Sequence, residues 1–182
     1  MVKLKVHRYG AKILREKSVP VAVVDDSLRK LADDMVETMH AAGGVGLAAE
    51  QVGRRERMCV IDIPGGCDSA EDEAFNAPIP MPLKIFNPSI VAREGSQRDK
   101  EGCLSFPGVG GSITRAAQVV CQYLDERNQP QTITARGFLA RALQHEVDHL
   151  DGILYVDHMS AVERLSVSAK LKRLASENGG VR

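Results

Sequence analysis

Residues 144–152 read QHEVDHLDG, and within them His145, Glu146 and His149 form an HExxH pattern. On an α-helix, side chains four residues apart share one face, about 6 Å apart along the axis. Two imidazoles placed that way can grip one metal ion, and a carboxylate beside the first can reach a water on that metal. Phe138, Leu139, Ala142, Leu143, Val147 and Leu150 cover most sides of such a helix, which predicts a buried one. Gly137 and Gly152 bracket it, and no proline interrupts it. Two histidines on a buried helix also serve as hydrogen-bonded core residues, so a metal centre needs a third ligand from elsewhere in the chain.

The 182 residues are enough for one good core and read as a single domain over 1–182. Hydrophobic residues make up 43% of the chain, which excludes general disorder. The formal net charge is zero, so no overall field favours nucleic acid or an anionic membrane, and neither direct DNA binding nor membrane association is expected. No apolar run approaches the roughly 20 residues that span a bilayer. The opening MVKLKVHRYG lacks the apolar core of a secretory signal. A cytoplasmic location is therefore expected, although an organellar protein without its transit peptide would read the same. The four cysteines form no CxxC pair, and a disulfide framework is not expected. Cys59 and Cys121 lie in strand-like runs and read as core residues, and Cys67 lies in a polar loop.

Along the chain, Ala11 to Lys17 reads as a short helix ended by Val19-Pro20. Ser27 to His40 reads as a longer one, with Asp25 and Asp26 at its N-terminus. Its core-facing stripe is Leu28, Leu31, Met35 and Met39. The run GGVGLAAEQVG at 43–53 is too small-chained to fill a core and lets a backbone come close to something. It has no GK[ST] and follows a helix, so it is not a phosphate loop. Met58 to Ile63 reads as a buried strand. Pro64 to Pro82, with four prolines, two glycines and the acidic Glu71, Asp72 and Glu73, reads as a mobile surface loop insertion. Leu83 to Phe86 and Ile90 to Ala92 are strand-like around Asn87-Pro88, and Ala117 to Leu124 with Gln131 to Thr134 forms a hairpin across DERNQP. Ser160 and Glu163 form a capping box for a last helix reaching about Ser176, basic at Lys170, Lys172 and Arg173 and apolar at Leu165, Leu171 and Leu174.

A catalytic zinc-like site takes three protein ligands and leaves one position for water. Cys103, a downstream acid and another histidine compete for the third place. Cys103 sits in EGCLSFPG at 101–108 among turn-forming residues, outside any periodic element, as a cysteine placed for chemistry would. The extended protease pattern HExxHxxGxxH is met at Gly152 but fails at Tyr155, and His158 is out of register. Glu163 and Glu177 are the acids that could serve, the first of them already committed to a cap.

Three blocks, GVGLAAEQ at 44–51, EGCLS at 101–105 and QHEVDHLDG at 144–152, resemble the signature motifs of peptide deformylases in order and separation. The resemblance runs from the first helix to about Ser160. It implies an α+β fold with antiparallel β-sheets packed around a central metal-binding helix and a C-terminal helix beyond. It implies that Cys103, His145 and His149 bind one divalent metal, Fe(2+) natively, with Zn(2+) or Ni(2+) as possible occupants. The reaction implied is hydrolysis of the formyl group of N-formylmethionyl nascent peptides, with Glu146 moving the proton. The Gln51 amide and the Leu104 backbone N–H would then stabilise the oxyanion. Val45 and Gly46 would meet the substrate backbone, and Phe138, Arg141 and Ala142 would line its side-chain pocket. The ribosome is the further partner that such a function admits.

Three positions depart from the resemblance. Glu50 stands where the family often has proline or a small residue, and Gly110 replaces a basic residue that some members use near the substrate chain. Arg141, one helical turn before His145, stands where an apolar residue usually lines the methionine pocket. It either snorkels outward to an acid or polarises the pocket. The competing readings are an HExxH peptidase with an acidic third ligand, and a structural metal protein or inactive relative that binds nascent chains. Glu146 speaks against the latter, because a structural site has no use for a base.

Overall fold

The structure, a computed structural model, describes residues 3–178. Alternation along one strand sets the layers. In β2 (Met58–Ile61), Met58 and Val60 face one core cluster while Cys59 and Ile61 face another. Helix α1 (Asp26–Ala41) supplies Leu28, Leu31, Met35 and Met39 to the first cluster. The Asp25 carboxylate caps that helix by accepting from Leu28 N–H at 2.9 Å. Helix α3 (Gly137–Leu150), which carries the histidines, supplies Leu139, Ala142, Leu143 and Leu150 to the second. The sheet is thus sandwiched between the two helices, as its two-sided apolar pattern requires.

That sheet has five antiparallel strands in the order β1 (Gly46–Ala48), β2, β3 (Leu83–Glu94), β6 (Gln118–Leu124), β7 (Pro130–Arg136). The two segments expected around Asn87-Pro88 are one strand, β3, with its register broken there. Asn87 takes a left-handed φ of 53°, and its side chain pairs with the backbone N–H and C=O of Val21 at 2.8 and 2.7 Å. The ladder is thereby continued on a neighbouring segment. β6 and β7 form the expected hairpin.

Residues 97–115 hold a second sheet that the residue pattern did not signal: β4 (Gln97–Gly102) paired with β5 (Gly110–Arg115). QRDKEG and GGSITR lack the β-branched alternation by which a strand is read. The short helix expected over Ala11–Lys17 is a single 3₁₀ turn, Lys12–Arg15. Pro64–Pro82 is not all loop, because α2 (Ala70–Asn76) lies within it. Ser69 caps α2, and the acidic residues at 71–73 occupy its first turn, where the helix dipole favours them. The insertion is bonded to the rest of the fold: Asn76 exchanges two hydrogen bonds with the Arg136 backbone, and Asp68 accepts from Phe138 N–H. Asp68 therefore does for the first turn of α3 what its own Arg136 cap residue does not. A Cβ at Gly137 (φ 56°) would collide with that carboxylate.

The C-terminal helix α4 (Ala161–Glu177) starts at the expected Ser160–Glu163 capping box. Leu171 and Leu174 join a third cluster with Phe106, Ile113 and Tyr155, Val167 packs at its edge, and Leu165 is exposed. Among the described residues no helix is long and apolar enough to cross a membrane.

Candidate metal centre and catalytic cleft

Two segments of the chain converge on one point. His145 and His149 come from α3, and Cys103 follows directly after β4. Their ligand atoms all lie within 4.8 Å of one another, and among the described residues no other group of three His, Cys, Asp or Glu side chains converges in this way. Cys103 Sγ is 3.3 Å from His149 Nε2. One thiol and two imidazoles in that space fit a single metal ion, with sulfur and nitrogen donors of the kind that zinc, iron and nickel accept.

The alternatives for the third ligand are spoken for elsewhere. Glu163 caps α4 and pairs with Arg98, Glu177 pairs with Arg173, and His158 bonds to Asp148 at 2.8 Å. Tyr155, which broke the protease pattern, donates to Val109 O at 3.0 Å and stacks on His145.

His145 is oriented from behind. Nδ1 of His145 bonds to Glu101 Oε2 at 3.0 Å, which leaves Nε2 for the convergence point. Glu101 is in turn gripped by both forks of Arg115, at 2.9 and 3.1 Å, and Arg115 also reaches Asp148. Burial opposes ionisation of Glu101, but the bonds from His145 and Arg115 outweigh it and hold its pKa down to about 2. Burial likewise opposes a charge on His145, yet its bonds to Cys103 and Glu101 raise its pKa well above the usual imidazole value. Burial, helped by the neighbouring charge on His145, pushes His149 well below it. Glu101 lies in the EGCLS block but was assigned no role, and Arg115 lies in a stretch with no readable element. The one available signal was an acid two residues from a candidate ligand. Gln144 holds the helix in place by pairing with both backbone groups of Ala116, each at 3.0 Å.

Gln51 is fixed just as firmly. Its Oε1 accepts from Ala48 N–H at 2.9 Å, so Nε2 points at Ser105 Oγ (3.1 Å) and Cys103 Sγ (3.3 Å). Glu146 lies beside His145, buried, with Oε2 unpartnered. Burial pushes its pKa up to about 7.

The small-residue run on the opposite wall is explained by contact. A Cβ built on Gly46 falls inside the van der Waals surface of Glu146 Oε1, and one on Gly44 meets the Leu104 side chain at 2.7 Å. Gly46→Ala is therefore expected to displace the Glu146 carboxylate and lower kcat about 10²-fold, with metal content unchanged. A kcat within about threefold of wild type would show that the carboxylate tolerates the shift.

A cleft of about 750 Å³ opens over this centre. Gly44, Val45, Gly46 and Gln51 line one side, Cys103 and Leu104 another, and Phe138, Arg141, Ala142, His145 and Glu146 the helix side. Of the residues expected in the site, all but His149 line this cavity, and His149 lies behind Cys103 with its Nε2 3.3 Å from Sγ.

An α+β scaffold that brings a thiol, two imidazoles and a buried carboxyl to the floor of an open cleft has the parts of a metal-dependent hydrolase. A sequence model of the polypeptide deformylase family matches residues 3–165. Curated peptide deformylases of Nitrosococcus oceani and Endomicrobium trichonymphae are 42% and 41% identical to the chain over 173 residues, covering 95% of it and 96% of each relative. The crystal structure of peptide deformylase from Ehrlichia chaffeensis in complex with actinonin is 38% identical with a TM-score of 0.85, over 97% of this chain and 98% of that one. The chain belongs to the polypeptide deformylase family, as a metal-dependent hydrolase that removes the N-formyl group from newly made polypeptides.

Proposed function

We propose that Cys103, His145 and His149 hold one divalent metal, ferrous iron in the native enzyme, and that Glu146 moves the proton during deformylation of N-formylmethionyl chains. The observation that carries this reading is the convergence of the three ligand atoms beside a buried, unpartnered carboxyl. A divalent cation held by these residues would lower the pKa of its water and supply positive charge to stabilise the oxyanion. Cys103 contributes as thiolate and reduces the net charge of the centre. Soft sulfur with two imidazoles also admits zinc or nickel, and a thiolate on ferrous iron is open to oxidation.

Glu146 takes the proton of the attacking water and hands it to the departing amine. The Gln51 Nε2 group, aimed by the bond from Ala48, and the Leu104 N–H donate to the oxyanion. Gly46 and Val45 meet the substrate backbone at the open edge of β1, and Phe138, Arg141 and Ala142 surround its first side chain. The histidine helix contributes to both the core and the site, which supports reading 1–182 as one catalytic domain. Work on new chains places the enzyme where chains are made, and the cytoplasm is the reading this supports. Of the cations on α4, Arg164 pairs with Asp157, Lys170 reaches Gly108 O and Arg173 pairs with Glu177, which leaves Lys172 to meet a polyanionic partner such as the ribosome.

Formate release from a formyl-methionyl peptide, measured anaerobically with metal content in the same sample, tests the assignment. Wild type is expected to release formate with about one metal per chain, and Cys103→Ala to bind none and release none. A filled site without formate, or metal retained by Cys103→Ala, overturns it.

A further inference from the structure

Two strands bring an unpaired edge to the cleft. β1 ends the five-stranded sheet, and β4 pairs only with β5 among the described residues. Gly44, Val45 and Gly46 belong to the cleft lining, as do Lys100, Glu101 and Gly102. An extended peptide can add to such edges through its backbone, and its side chains then alternate between two faces.

The faces are defined by contacts. On β4, Gln97 bonds to Arg141, Asp99 lies toward Arg141, and Glu101 bonds to His145, so the odd-numbered positions face α3. Arg98, Lys100 and Gly102 therefore face outward, and Arg98 reaches Glu163 at 3.2 Å. On the other wall, a Cβ at Gly46 would strike Glu146 of α3. Val45 continues that ladder by accepting from Asp62 N–H at 2.9 Å, and so faces outward. A substrate whose first side chain points at Phe138 and Ala142 on α3 sends its second to the outer face. The space there is open at Gly102, where a Cβ would meet nothing within 4 Å.

Lys100 supplies the charge on that face. It is exposed and has no ion pair among the described residues. The acids around it are engaged: Asp99 accepts from the Lys100 backbone, Glu101 is held by Arg115, Glu163 by Ser160 and Arg98, and Asp62 by His40. Ser112, its partner on β5, is neutral. Arg8 is the other exposed charge of the cleft lining and is also a cation, whereas Arg141, Glu101 and Glu146 are buried.

We propose that Lys100 selects the second residue of the new chain and favours glutamate there. This rests on the deformylase reading of the same cleft. Side chains opposite or diagonal to one another on one face of a sheet interact, and a lysine is long enough to reach in either register. The glutamate methylenes lie along Val45 and the carboxylate meets the ammonium, whereas a lysine in that place is repelled.

The test is kcat/KM for formate release from amidated peptides that differ only after formyl-methionine, with glutamate, glutamine or lysine second. At about 20 mM salt wild type is expected to use the glutamate peptide about tenfold better than the lysine peptide, chiefly through KM, and at about 0.5 M the ratio should fall to about two. Lys100→Glu should reverse the order, with metal content at the wild-type level. Equal use of the two charged peptides by wild type overturns the proposal, and so does a ratio that Lys100→Glu leaves unchanged. A charged residue moved to the third position returns to the α3 face and should respond much less to Lys100→Glu. Equal response at both positions would mean a diffuse field rather than a neighbour, and overturns it as well. Absence of formate from every peptide would instead defeat the deformylase reading itself.

Discussion

Replacement of Glu146 by glutamine lowers kcat for formyl-methionyl peptides by about 10²–10⁴, the range that a positioned general base contributes. Metal content stays at the wild-type level, because the glutamate is not among the converging ligands. Glutamine matches glutamate in shape, so the fit under Gly46 is retained and only the capacity to accept a proton is lost. The side chain is buried with an unpartnered oxygen, and burial, with a smaller push from Glu101 and Asp148, raises its pKa to about 7 against the pull of His145 and Arg115. The protein therefore stores an ionisable group where ionisation is unfavourable, which costs stability and makes the group a stronger base. The same variant should accordingly unfold at a temperature equal to or above that of wild type. The checks are steady-state kinetics, metal analysis and a thermal melt on one preparation. A kcat within about tenfold of wild type would remove Glu146 from the proton-transfer role.

Glu50→Gln removes a pH dependence of stability that wild type shows between about pH 4.5 and 8. Glu50 is wholly buried, and neither of its carboxylate oxygens has a hydrogen-bond partner. Burial raises its pKa from 4.5 to about 8, against the pull of Arg57 and with a smaller push from Glu146 and Asp151. The Arg57 guanidinium is committed to Asp151 Oδ1 at 2.8 Å and to Pro88 O. Below pH 4.5 both folded and unfolded chains hold the Glu50 proton, and the group contributes nothing to pH dependence. Between 4.5 and 8 the unfolded chain ionises while the folded chain does not, so stability falls by about 1.4 kcal/mol per pH unit. Above 8 both states are ionised and the loss levels off. Urea unfolding of the metal-loaded enzymes at pH 5, 6, 7 and 8 should show the two curves diverging by about 4 kcal/mol, with wild type the less stable at high pH. Parallel curves would mean that the ionised carboxylate is accommodated after all.

Glu50 also shows where reading the residues alone runs short. Its place in GLAAEQ marked it as a departure with consequences for loop geometry, yet the loop forms: Ala49–Val52 make a 3₁₀ turn closed by Gly53 at φ 81°. The consequence is electrostatic, and it depends on Arg57 and on α3, which is distant in sequence. Arg141 behaves in the same way. It reaches toward the exposed Asp99 through Nη2, and its Nε and Nη1 are buried without a partner. No local pattern could have foretold that arrangement.

The residues alone determined the histidine helix, the α1 stripe, the β6–β7 hairpin and the α4 capping box. Each of these is a local matter of periodicity, turn chemistry or capping, written within about a dozen residues. They also set out the spaced motifs from which the metal ligands were read. Tertiary structure alone decided the rest: that residues 97–115 pair as β4 and β5, that Asp68 in a proline-rich insertion meets the first turn of α3, and that Arg115 and Glu101 stand behind His145. Asp68 and Phe138, like Glu101 and His145, are far apart in the chain, and β4 and β5, though near neighbours, carry no readable strand pattern. Strand pairing, buried charge and a shared carboxylate acquire their energies only when folding removes the water between them.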